Sequence, residues 1–178
     1  MIQHRLFVAN PLSAGAIIFL SSAQAHYLLR VLRLGQGSSL LVFDGKHGEW
    51  RAEIVAARKT SCQIKAVEKI RDQTAPQDVF YAFAPLKQAR LDYLVQKAVE
   101  MGAALLQPVL TQYTAVTRIN LKRMEANAIE AAEQCGILAL PQIGQPVRLE
   151  ALLRDHPSER AIIFCDEGAR AAPPLDTL

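Results

Sequence analysis

Apolar and polar positions along the first part of the chain alternate in short runs. Five of these, at residues 5–9, 16–20, 38–43, 49–55 and 61–67, are rich in β-favouring residues. They are separated by turn signals, Asn10-Pro11, Gly35-Gln-Gly37 and Asp44-Gly45-Lys-His-Gly48. Glycine at Gly45 supplies the positive φ that a tight connection needs, so 38–43 and 49–55 read as a hairpin. Five strands in so short a stretch predict a small barrel. One interruption has helical period: over 22–34, Ala25, Leu28, Leu29 and Leu32 recur on one side, and Arg30 and Arg33 project from the more polar side.

The period then changes. Residues 78–84 form a β-favouring run, 88–101 an amphipathic helix ended by Gly102, and 104–110 a second strand, which together predict a βαβ unit. Leu91, Leu94, Val95, Ala98 and Met101 make the buried stripe of that helix, with Arg90 and Lys97 on another face. Asn120 offers an N-cap for an alanine-rich helix over 121–134 that ends near Gly136. Residues 161–165 are apolar throughout, as a parallel strand covered on both faces should be. The expected fold class is α+β in two domains, a β-barrel over 1–72 and an α/β layer over 73–178.

Composition narrows the class without naming a function. The 178 residues are 51% hydrophobic and 21% charged, which is the balance of a globular chain and excludes disordered, collagenous and repeat-array proteins. The longest apolar runs, 14–20 and 161–165, fall short of the roughly 18 to 20 residues that span a bilayer, and no basic-then-apolar signal opens the sequence. A cytoplasmic location without a membrane partner is expected. Cys62, Cys135 and Cys165 form no CxxC pair and no His/Cys cluster, so no metal is expected and buried, reduced thiols are.

Charge is distributed unevenly. Residues 1–72 carry ten Lys/Arg against five Asp/Glu, net +5, and residues 73–178 carry ten against twelve, net −2. A basic module is the footprint of a polyanion binder, though a solvated basic surface has the same composition. Arg30 and Arg33 have the same two readings, as phosphate contacts or as cations favoured near a helix C-terminus. Asn127, Glu130 and Gln134 share a helix face with Glu133 beside them, which fits either a reactive carboxylate or an ordinary solvated stripe. The four histidines lack ligand spacing, and the nine glycines make no GxGxxG or GxxxxGK[ST], so hydrolase, dinucleotide and P-loop chemistries find no support.

Several spaced blocks resemble one family in its own order. His26-Tyr-Leu-Leu-Arg-Val-Leu-Arg33, Gly35-Gln-Gly37 and Phe43-Asp44-Gly45 are similar to the N-terminal segment of the RsmE-type ribosomal RNA methyltransferases. Phe83-Ala-Pro-Leu-Lys87, Gln96-Lys97-Ala-Val-Glu100-Met-Gly102, Pro108-Val-Leu-Thr111, Glu130-Ala-Ala-Glu133-Gln134-Cys-Gly136 and Pro141 continue the match. The resemblance implies a PUA-like RNA-binding β-barrel followed by part of a SPOUT-class α/β methyltransferase domain, working as a homodimer. It implies methyl transfer from S-adenosylmethionine to N3 of a uridine in 16S ribosomal RNA of the small subunit. His26, Arg30, Arg33 and Lys87 are then the expected RNA contacts, with Glu133 as proton acceptor and Lys97 as charge stabiliser. A non-catalytic RNA-binding module is the alternative.

The chain departs from the family pattern in two ways. Thr111-Gln-Tyr-Thr114 and Ile137 stand where the family often shows arginines. No GPEGG-like or LGxRILR-like block, which in the family builds the glycine-rich loops and trefoil knot around the donor, is present. The cofactor-binding residues are therefore expected beyond Leu178, and these 178 residues alone are expected to bind S-adenosylmethionine poorly and to methylate nothing.

Overall fold

The computed structural model describes residues 4–58, 60–114, 116 and 118–165. All five expected N-terminal strands form: β1 (Arg5–Phe7), β2 (Ile17–Phe19), β3 (Ser39–Phe43), β4 (Glu49–Ala57) and β5 (Cys62–Arg71). They make one sheet in the order β1-β3-β4-β5-β2, with β1 parallel to β3 and the other neighbours antiparallel. Three register shifts between β4 and β5 add twist, and the sheet curls round one core that includes Leu6, Ile18, Leu40, Val42, Ile54 and Ile64. β1 and β2 are its two edges. Among the described residues they do not pair with each other, so the barrel has an open seam.

The helical interruption is shorter and less regular than its period predicts. Helix α1 (Ser22–His26) opens on a capping box, in which Ser21 Oγ accepts from Gln24 N and Gln24 Oε1 accepts from Ser21 N. Residues Tyr27–Val31 then widen into a π turn, with Leu32 N donating to Tyr27 O at 2.9 Å, and Arg33 takes a left-handed φ of 57°. Burying Ala25 and Leu28 against the barrel while returning the chain to β3 accounts for the extra residue in the turn. Arg33 thus lies outside the helix.

Residues 72–79 lead into the second domain, where β6 (Phe80–Phe83), α2 (Gln88–Glu100), β7 (Leu105–Leu110), α3 (Leu121–Cys135), β8 (Gln142–Ile143), β9 (Val147–Arg148) and α4 (Leu149–Arg154) follow. All pairings are parallel: β6 lies along one side of β7, and β8 and β9 along successive parts of that strand. Helices α2 and α3 close the second core, with Leu91, Val95 and Val99 packed with Met124, Ala128 and Leu106. The expected caps are present: Asn120 accepts from Arg123 N, and Gly102 and Gly136 adopt φ near 80°.

Three expectations fail here, the first being Met101, expected in the buried stripe of α2, which caps that helix and is 76% exposed. Residues 161–165 form no strand; Ile163 and Phe164 are 71% and 77% exposed, and among the described residues no neighbouring strand supplies the hydrogen bonds that a parallel strand requires. Only Cys62 is a buried thiol. Cys135 ends α3 on its outer side and Cys165 lies in the unpaired segment, so both are exposed. No described helix is long and apolar enough to cross a membrane.

Candidate functional site

Alternation along β3 sends Leu40 and Val42 into the barrel core and Phe43 into the core of the second domain. The two cores meet there. Phe7 on β1 packs edge-on to Phe43 at 5.7 Å, and the Arg5 guanidinium lies 4.5 Å above the Phe43 ring. Arg5 donates to the carbonyls of Ala132, Glu133 and Ile137, and Arg71 donates to that of Gly136 at 2.7 Å. Two cations therefore hold the C-terminal carbonyls of α3, where the helix dipole favours positive charge. Glu49, 5% exposed, joins them, at 2.5 Å from Arg5 and 3.2 Å from Arg71. None of the three was singled out from the sequence; the legible signal is a cross-strand pair of opposite charge, since Glu49 faces Arg71 between β4 and β5.

Glu133 belongs to this junction. Its Oε1 accepts the Phe7 N–H at 2.8 Å. Burial pushes its pKa above the ordinary glutamate value, with Glu130 adding to the rise and the Phe7 N–H and Arg5 opposing it. The carboxylate lines a groove of about 630 Å³ that runs along the barrel's open seam, between β1, β2, α1 and the face of α3 that carries Ile129 and Glu133. Phe19, 71% exposed, and Tyr27, 43% exposed, are the large side chains on the barrel wall. Gln24 ties α1 to β1 beneath them, donating from Nε2 to the Phe7 carbonyl at 2.8 Å.

His26, Arg30 and Arg33 are all exposed and stand together on the excursion that supplies Tyr27 to the groove. Lys87 is exposed in the other domain, at the position before α2. Because α2 and α3 return antiparallel to β6 and β7, their first turns, with Lys87, lie at the carboxyl edge of the parallel strands. Their last turns, with Lys97 and Glu133, lie at the amino edge. In open parallel sheets ligands settle outside the carboxyl ends. Lys97 is held by Glu100 at 2.6 Å and lies 5.6 Å from the Tyr93 ring; its hydrogen bond to Glu100 raises its pKa.

The polar stripe on α3 divides. Asn127, Glu130 and Gln134 line a second groove of about 340 Å³ against α2, while Glu133 turns to the first. In the second groove Asp92 accepts from Gln88, Arg123 and Asn127, and these donors, Arg123 first, outweigh burial and lower its pKa. This is a helix-to-helix bridge. The first groove lies against the barrel and the second between two helices, neither of them outside the carboxyl ends of the parallel strands, so neither is assigned to a methyl donor. Among the described residues no group of His, Cys, Asp and Glu could hold a metal ion.

Comparison with known proteins follows these divisions. A model for the RNA methyltransferase PUA domain matches residues 20–67, and one for the RNA methyltransferase domain matches residues 73–178. Ribosomal RNA small subunit methyltransferase E of Synechocystis is 33% identical over 150 residues, covering 83% of this chain and 49% of that protein. Its namesake from Rickettsia conorii is 26% identical over 155 residues, covering 86% and 64%. The chain thus spans about half to two-thirds of the length of these relatives. The crystal structure of ribosomal RNA small subunit methyltransferase E from Neisseria gonorrhoeae, bound to S-adenosyl methionine, superposes with a TM-score of 0.79 at 25% identity, covering 89% of this chain and 67% of that one. A barrel matched as a PUA domain precedes a parallel-sheet domain matched over more than half the chain, and on that ground the chain belongs to the RNA methyltransferase family.

Proposed function

We propose that this protein acts in the methylation of 16S ribosomal RNA, at N3 of a uridine, with S-adenosylmethionine as methyl donor and a second copy of the chain as its partner. The observation that carries this reading is the pair of family matches in their order, RNA methyltransferase PUA domain first and RNA methyltransferase domain second. The relatives named as small subunit methyltransferases supply the substrate class, and the Neisseria structure supplies the donor. S-Adenosylmethionine brings an electrophilic methyl group. Donor contacts are assigned to none of residues 4–165.

Uracil N3 carries a proton, so the reaction needs that proton removed or the anionic base stabilised, and the base must be unpaired to be reached. Glu133 and Lys97, the candidates for those roles, stand at the amino edge of the sheet and are held by Phe7 N–H and Glu100. On that ground we assign Glu133 to the domain junction and the groove beside it, and Lys97 to the surface of α2. The reacting base goes to the carboxyl edge beside Lys87. His26, Arg30 and Arg33 hold RNA phosphates from the barrel.

The test begins with the intact mass of the purified protein. The same sample is then incubated with labelled S-adenosylmethionine and small ribosomal subunits that lack the modification. Label in the 16S RNA from a protein heavier than 19.6 kDa, with reverse transcription stopping at one uridine because N3 methylation blocks pairing, is the expected result, and a chain of 19.6 kDa is expected to give none. No label from the heavier protein, with salt-dependent RNA affinity intact, would replace the enzyme by an RNA-binding module.

A further inference from the structure

The groove at the barrel seam has no part in methyl transfer as described above, yet this open groove is lined by two exposed aromatic rings and a carboxylate. It lies where β1 and β2 leave the barrel unclosed, and α3 of the second domain forms its opposite wall. Its volume of about 630 Å³ is within the range of small-ligand sites. Two large rings, Phe19 and Tyr27, stay exposed on its barrel wall although apolar cores lie directly behind them. Exposed aromatic rings beside a cationic surface are the elements that proteins use to stack unpaired bases.

The polar groups are arranged to suit the same occupant. Oε1 of Glu133 is taken by the Phe7 N–H, while its other oxygen has no protein partner among the described residues. A carboxylate only accepts hydrogen bonds, and a nucleobase edge offers N–H donors. Phosphates are repelled by Glu133 and drawn to the excursion that carries His26, Arg30 and Arg33 next to Tyr27. Base inward and backbone outward is the orientation that satisfies both charges.

We propose that the groove between the barrel seam and α3 takes one unstacked nucleotide of the RNA, its base against Phe19 and Tyr27 and an N–H of that base donated to Glu133. This nucleotide is distinct from the reacting uridine, which goes to the carboxyl edge of the other sheet. The site acts as an anchor that sets the register of the RNA across the two domains. It rests on the RNA-binding reading above and names the subsite through which that binding is oriented.

The test uses the full chain and a 5′-labelled single-stranded oligoribonucleotide, read by fluorescence anisotropy across a salt series. Phe19→Ala and Tyr27→Ala are each expected to weaken binding by roughly ten-fold, the loss of one base stack, without changing the slope of affinity against salt. Both rings are exposed, so the fold is expected to survive, and unchanged thermal unfolding checks this. The same RNA carrying 2-aminopurine is expected to be quenched by the wild type and less so by either variant. Wild-type affinity retained by both variants overturns the anchor and leaves the RNA reading standing. Absence of salt-dependent RNA affinity in the wild type overturns the RNA reading and the anchor with it.

Discussion

Replacing Arg5 by methionine tests whether the two domains are fastened by charge. The substitution keeps an apolar stem over Phe43 but removes the ion pair with Glu49, whose side chains are 11% and 6% exposed, and the donors to three carbonyls at the end of α3. Breaking a buried pair from one side costs about 3–5 kcal/mol, mostly from the charge left behind. Glu49 keeps Arg71 at 3.2 Å, a partner 46% exposed, which lowers the penalty at that end. The expected loss is about 3–4 kcal/mol, or roughly 6–16 °C in Tm for a chain of this size. Urea unfolding should be followed by two probes. Trp50, the only tryptophan, is buried in the barrel core, whereas the helical circular dichroism arises mainly from α2 and α3. In the wild type the two transitions should coincide, and in Arg5→Met they should separate. A cycle with Glu49→Gln should give a coupling of more than ~1 kcal/mol. A loss under ~1 kcal/mol with coincident transitions would refute the clamp.

Three further outcomes are expected. The folded-state pKa of Glu133 is raised, so its contribution to stability is present below 4.5, the unfolded value, and is lost as pH rises through the folded one. Glu133→Gln, compared with wild type by denaturant titration, should therefore fare better at pH 7 than at pH 4; the opposite order would show that the Phe7 N–H outweighs burial. Replacing Arg30 and Arg33 by glutamine should reduce the slope of log affinity against log salt for single-stranded RNA by roughly 0.7 each, and an unchanged slope would remove these residues from the interface. Gly136→Ala, at φ 79° in open space, should cost about 1–2 kcal/mol, whereas Gly48→Ala should cost more than ~3 because its Cβ would lie 2.3 Å from the Arg71 carbonyl oxygen. Equal midpoints in chemical denaturation would contradict that contrast.

Strands and caps were legible because their causes are local. Alternation, Asn120 and the glycines at 45, 102 and 136 each act within a few residues. The groove was not, because it exists only where β1 and β2 fail to meet, and neither strand records its neighbour in its own residues. β8 and β9, two residues each, are defined by β7 rather than by period. Glu133 was grouped with Asn127, Glu130 and Gln134 by spacing, but each helical residue turns about 100°, which carries it from the face of Gln134 to the junction. At 161–165 an apolar run read as a strand has no described strand to pair with. Arg5 and Glu49 show the same limit: their partners lie 44 and more than 120 positions apart in the chain.

The position of β1 also dictates an order of events during synthesis. The antiparallel hairpins of β3, β4 and β5 can close as soon as residue 71 is free of the ribosome. Arg5 cannot complete its contacts until residue 137, the last of its carbonyl partners, has been made. At roughly 5–20 residues per second that interval lasts about 3–13 s. Throughout it, Phe43 faces water on a barrel otherwise able to fold, and the growing chain carries an apolar patch waiting for α3. A pause in translation between residues 71 and 137 would prolong that exposure, and is where aggregation of the nascent protein should be most easily provoked.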